Sequence, residues 1–178
     1  MADHRISCSM NELRIAAGQL RHYLEYVAAE WCARLGGRVE YRNDGKYELG
    51  DLLPAAISAM NDLYKKAKAA AGSWGDKVGV EELGKAHDAF SAAVTASDSE
   101  RWEINPAVHY NEWANFQKEY FKPVVQAFKA LEKQCECDAC GDLIYVVLTG
   151  KTKEVARCGC NKLNLNLKAK AKESTENA

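Results

Sequence analysis

Five of the seven cysteines in this chain fall between positions 135 and 160: Cys135, Cys137, Cys140, Cys158 and Cys160. Thiolate sulfur is a preferred ligand of zinc, and four thiolates in a tetrahedron complete a structural site. Cys137-x2-Cys140 puts two thiolates on one tight turn, followed by Gly141, and Cys158-x-Cys160 supplies a second pair. The 17 residues from 141 to 157 are enough for two strands and a hairpin. Joining the two turns through one Zn2+ therefore predicts a zinc ribbon with Cys137, Cys140, Cys158 and Cys160 as ligands. Cys135 is one cysteine more than such a site needs, either a spare or a replacement for Cys137. The plain alternative is a set of buried thiols without metal. Four thiolates leave no open coordination position, so the metal's expected role is structural. A module of about 35 residues cannot bury a sufficient core unaided. The metal would then supply its folding free energy.

Arg101, Asn105 and His109 are the candidates for acid–base and phosphate chemistry. A histidine can move a proton while an arginine holds phosphate charge. A histidine near a helix start beside Pro106 also serves simply to hydrogen-bond a turn. His22 reads as a surface residue and His87, on an apolar stripe, as a satisfied core histidine. Lys151, Lys153, Arg157, Lys162 and Lys168 concentrate on the cysteine-bearing segment. Cations placed so can meet nucleic-acid phosphates, although solvated strands are lysine-rich as well.

Around these residues the composition is that of a soluble globular chain, 47% hydrophobic and 28% charged. The net charge of -1 excludes polyanion binding by bulk electrostatics and leaves only a local patch. No apolar run approaches the roughly 20 residues that span a bilayer, so no membrane partner is expected. The first residues lack the apolar core of a signal peptide, which predicts a cytoplasmic protein with reduced thiols. An odd number of cysteines also argues against a full disulfide framework.

Hydrophobic spacing supplies the elements. Ser9-Met10-Asn11-Glu12 reads as a capping box opening a helix with a stripe through Leu13, Leu20, Leu24, Val27, Trp31 and Leu35. Gly36-Gly37 ends it. Residues 38–50 read as a turn or short hairpin. A second helix is expected from an N-cap at Asp51 to about Ala71, and a third, weaker one from Val80 to Ala96, broken at Ser97-Asp98-Ser99. Pro106 disfavours helix at Asn105. A last helix is expected from Asn111 to about Gln134, kinked at Pro123. Leu143–Leu148 reads as strand, and Leu163, Leu165 and Leu167 alternate with polar residues in a second strand. The expected organisation is a helical domain over 1–134, a zinc ribbon over 135–168 and a disordered tail over 169–178.

The opening helix, and the segment Arg101-Trp102-Glu103-Ile104-Asn105-Pro106-Ala107-Val108-His109 followed by a long helix, resemble the HEPN superfamily. That resemblance implies a mainly α fold, a four- to five-helix HEPN-like bundle, here followed by a small β zinc ribbon. It also implies a homodimer and metal-independent ribonuclease chemistry, with His109, Arg101 and Asn105 as the matching positions. The family signature places an arginine four to six residues before the histidine. Seven residues separate Arg101 from His109, and Ile104 stands where the arginine belongs, so half of that chemistry is missing. The whole chain is also similar to the C-terminal region of bacterial AAA/SMC-like ATPases of DNA-repair and phage-defence loci. That likeness rests on the Asn-x-x-x-His segment, the cysteine pairs and Asn164-Leu165-Asn166-Leu167. No Gly-x4-Gly-Lys-Ser/Thr nucleotide loop is present. These resemblances imply a non-catalytic accessory module that binds a partner ATPase, DNA or RNA. The alternative is a HEPN-type ribonuclease using His109.

Overall fold

Helix α1 (Ala2–Leu35) contains no proline and one glycine, Gly18, so little interrupts it. The computed structural model describes residues 2–108 and 118–171, with side chains at all of these except 2–11, 13, 99–108 and 118–121. The helix begins at Ala2, upstream of the expected capping box at Ser9–Glu12. Residues 2–8 hold neither glycine nor proline, so nothing there stops helix propagation toward the N-terminus. Leu24, Val27, Ala28, Trp31 and Leu35 form its buried stripe. Gly36 ends it in the left-handed conformation, φ 63°, which costs a residue without Cβ nothing.

The connection to the next helix has a turn at Asn43-Asp44 and no strand. Gly45 N donates to Arg42 O at 3.1 Å, and Lys46 N to Asp44 Oδ1 at 3.1 Å. Helix α2 (Leu49–Ser73) is capped by Glu48, not by the expected Asp51. Asp51 instead reaches back from the first turn and accepts from Glu48 N at 3.0 Å. That amide, and then Arg42 at 2.6 Å, hold the Asp51 carboxyl below the usual carboxylate range.

Helix α3 (Lys77–Val108) runs without a break, against the expected interruption at Ser97–Ser99 and the turn at Asn105-Pro106. Ser97 is buried and its hydroxyl donates to Val94 O at 2.8 Å, so it is satisfied within the helix and does not compete with it. Pro106 sits two residues before the helix end, where it forfeits a single backbone bond. Helix α4 (Lys118–Lys133) is the described part of the last expected helix and includes Pro123. Val124, Phe128 and Leu131 are its buried face. Helix α1 packs on α2, α2 on α3 and α3 on α4, which makes a helical bundle.

Three antiparallel strands follow in the order β1 (Tyr145–Thr149), β2 (Thr152–Arg157), β3 (Asn164–Asn166). The register pairs Val147 with Val155 but Leu148 with Lys153, so Glu154 is an extra residue, a β-bulge. Pairing puts Ala156 on the face of Val146 and Leu165, toward the helices. Without the bulge Lys153 would point to the opposite face, because the period of a strand is two. With it, Lys153 joins Ala156. Ile144, Ala156 and Leu167 enter the same buried cluster as Trp31, Leu63 and Leu131. Among the described residues no helix is long and apolar enough to cross a membrane.

Candidate metal centre

Two turns carry the cysteines. In the first, Cys140 N and Gly141 N both donate to Cys137 O, at 3.3 and 2.8 Å, and Gly141 takes φ 68°. Cys137 N donates to Asp142 O at 2.9 Å, which closes the loop at its base. In the second, Asn161 N donates to Cys158 O at 3.1 Å, with Asn161 itself at φ 58°, a conformation asparagine tolerates. Leu163 N lies 3.4 Å from Cys158 Sγ and donates to it, a bond that favours thiolate over thiol.

These turns bring Cys137, Cys140, Cys158 and Cys160 together, with all four Sγ atoms within 4.8 Å of one another. Cys137 and Cys160 are 3.9 Å apart, and Cys158 and Cys160 3.3 Å. A tetrahedron with metal–sulfur bonds of about 2.3 Å has sulfur–sulfur edges of about 3.8 Å, so four ligand atoms already stand near the corners of one. None is in a disulfide. Cys137 and Cys158 are buried while Cys140 and Cys160 face solvent, so the group lies at the rim of the sheet. The cluster could hold a metal ion.

Its electrostatics favour a cation. Burial pushes the Cys158 thiol up, but the Leu163 amide and the Cys160 and Cys137 thiols outweigh it and bring it down to about 6. The Lys162 amide pulls the Cys160 thiol down, yet its cysteine neighbours, Cys158 foremost, push it up overall. Thiolates placed this close repel one another, and a positive charge among them relieves that repulsion.

Cys135 stands apart from this group. It is buried in the core, and burial first, then Glu136 and Glu132, push its thiol up to about 12. Its carbonyl accepts from Ile144 N at 2.9 Å. Sequence spacing did not single out Asp142, which couples the two turns to the helices. Arg34 of α1 lies 3.2 Å from Asp142 Oδ1. A Cβ at Gly159 would come within 2.6 Å of Asp142 Oδ2, so a larger residue between Cys158 and Cys160 would have to displace that carboxylate. Its position directly after Cys137-x2-Cys140-Gly141 is the signal that marks it.

The basic candidates do not form one surface. Lys151, Lys162 and Lys168 are exposed, the last with Glu154 at 3.6 Å. Lys153 Nζ is turned inward by the bulge and donates to Leu35 O and Gly36 O, at 2.5 and 3.1 Å. Burial, then the charge of Lys66, lowers its affinity for a proton. Arg38 and Lys66 line the same small cleft as Lys153. The Arg157 guanidinium lies 5.8 Å from the Tyr145 ring, and its buried Nε has no hydrogen-bond partner among the described residues.

Among the acid–base candidates, Arg101 and Asn105 belong to the last turns of α3, and His109 lies outside the described residues. His87 stacks on Tyr64 and its Nε2 meets Asn61 Oδ1 at 2.9 Å, a partnered, half-buried ring. His22 is exposed beside Glu25.

No protein-family model, no curated protein and no solved structure matches the chain.

Proposed function

We propose that this chain is a zinc-stapled, non-catalytic interaction module, whose C-terminal sheet is a zinc ribbon and whose helices dock on a partner. The reading rests on one observation, the four thiols within 4.8 Å of one another. Zinc suits four soft ligands in a closed tetrahedral shell, and such a shell has no position free for substrate or water. Metal there stabilises the fold and does no chemistry.

The partner half of the proposal draws on two features. The exposed Lys151 and Lys162 place cations on the sheet, and Arg38 and Lys66 beside the inward-turned Lys153 place others near the end of α1. Such cations suit phosphates of DNA or RNA, with contacts that fade as salt rises. The resemblance to HEPN-like regions of AAA/SMC-like ATPases in repair and phage-defence loci supplies the second partner class, an ATPase on which the helices dock.

Two measurements test the reading. Reduced protein, purified without added metal and analysed for elements, is expected to carry one zinc per chain; a substoichiometric content of every transition metal removes the proposal. Incubation with labelled RNA and DNA is expected to give salt-dependent binding without cleavage. RNA cleavage that survives chelation and disappears in His109→Ala would replace this reading with the ribonuclease one.

A further inference from the structure

A cleft opens on the described surface beside the second cysteine turn, which it meets at Leu163. It encloses about 530 Å³ between α2, the start of α3 and β3. Met60, Tyr64, Leu83, Ile144 and Leu165 make its apolar walls. Trp74 stands at its rim, 57% exposed.

One wall is a strand edge. β3 is the outermost strand of the sheet. Leu163 O accepts from Cys158 N and Leu167 N donates to Glu154 O, so the odd-numbered residues direct their main chain toward β2. The amides and carbonyls of Asn164 and Asn166 therefore point the other way, and both residues line the cleft. Among the described residues no hydrogen bond engages these main-chain groups. An unpaired edge beside an apolar trough is the arrangement that accepts an added strand: main-chain bonds give affinity, and alternate side chains enter the trough.

Charge narrows the occupant. Asp76 and Glu82 line the cleft, and no lysine, arginine or histidine does. Asp76 Oδ1 accepts from Gly79 N at the start of α3, which fixes the carboxylate at the cleft's edge. The segment that follows β3 does not suit the trough. Trp74 Nε1 donates to Lys168 O at 3.0 Å and Lys170 N donates to Ser73 Oγ at 2.8 Å, so the chain leaves along the end of α2. Residues 172–178, Lys-Glu-Ser-Thr-Glu-Asn-Ala, also contain no apolar side chain larger than alanine.

We propose that this cleft docks an extended segment of a partner protein, carrying alternate apolar residues and at least one lysine or arginine, which pairs with β3 as a fourth strand.

The test titrates short peptides of alternating valine and lysine into the 15N-labelled full chain, with alternating valine and glutamate as the charge control. The lysine peptide is expected to slow exchange of the Asn164 and Asn166 amides by about tenfold or more. It shifts the resonances of Leu83 and Leu165 and leaves those of Arg38 unmoved. The glutamate peptide binds at least about tenfold more weakly. Ala86→Arg, which fills the trough and adds a cation, abolishes binding. Where that variant unfolds, Glu82→Lys on the exposed rim gives the same readout through charge alone. Failure of the lysine peptide to bind overturns the proposal, as does binding that leaves both asparagine amides exchanging at their free rate. Equal affinity for the two peptides overturns it too. Protection of those amides that grows with protein concentration in the absence of peptide would assign the cleft to a second copy of this chain.

Discussion

A cysteine can be a ligand, a core side chain or a reactive thiol, and neighbours decide which. Cys158 has a backbone amide aimed at its sulfur and two cysteines beside it, while Cys135 has apolar packing and two glutamates. Cys158→Ser is expected to abolish stoichiometric metal and to lower stability by roughly 3 kcal/mol or more, since a closed thiolate shell supplies folding energy. In a chain of this size that is a fall in Tm of roughly 6–12 °C, read by calorimetry. Cys135→Ala keeps its full metal content and costs about 1–2 kcal/mol of packing. A variant pair in which Cys135→Ala lost metal and Cys158→Ser kept it would reverse the assignment. Reactivity gives a second check. At pH 8, after chelation, iodoacetamide is expected to label the exposed Cys140 far faster than Cys32 or Cys135, whose thiols burial pushes up. Tryptic mass spectrometry reads the order. At this scale the grouping of the four cysteines was legible, because their spacing puts two pairs on two turns that a hairpin brings together. Asp142 was not, since its place between the turns depends on how Gly159 lets them approach.

A strand read at period two puts Lys153 on the same face as Val155 and Arg157. The bulge at Glu154 reverses that, and the ammonium closes the end of α1. No residue type announces a bulge without a glycine, so this part of the sheet was opaque in the sequence, and a lysine assigned to phosphate contact serves a helix C-terminus instead. Lys153→Ala is expected to destabilise by about 1 kcal/mol through the lost carbonyl contacts. Lys151→Ala, on the exposed turn, stays within about 0.5 kcal/mol of the parent. Equal effects in urea unfolding would remove Lys153 from this role. The link between α1 and α4 carries a pH signature. Tyr23 donates to Glu132 Oε1 at 2.6 Å, and that carboxylate, then burial, raises the phenol from 10.0 to about 12. The folded form holds this proton more tightly than the unfolded chain, so the contribution is complete below pH 10 and is lost as pH rises to about 12. The stability difference between the parent and Tyr23→Phe is therefore expected to be constant up to pH 9 and to shrink between pH 10 and 12.

For the whole molecule, apolar stripes located α1 and α2 well because a buried face leaves a period that no local signal disguises. The stripe of α3 was cut short at Ser97, where local propensity reads as a break, and tertiary burial overrode it. The same burial decides how the molecule would respond to losing the proposed metal. An independent ribbon on a linker would melt by itself on chelation and leave the helical signal untouched. Here Ile144, Ala156 and Leu167 lie in one cluster with Trp31, Leu63 and Leu131, Arg34 meets Asp142, and Lys153 closes α1. Unfolding the sheet would uncover the Leu35 end of α1 and one side of α2, so the free energy of the proposed metal shell would be shared with the bundle. Chelation is therefore expected to lower the single melting transition seen at 222 nm by roughly 6 °C or more, the size expected from a loss of about 3 kcal/mol. It should also leave near-ultraviolet and helical signals superimposable on one curve. Two separated transitions, with the helical one unmoved by chelator, would mean that the sheet is a passenger on the bundle, and the coupling drawn from the shared core would fall.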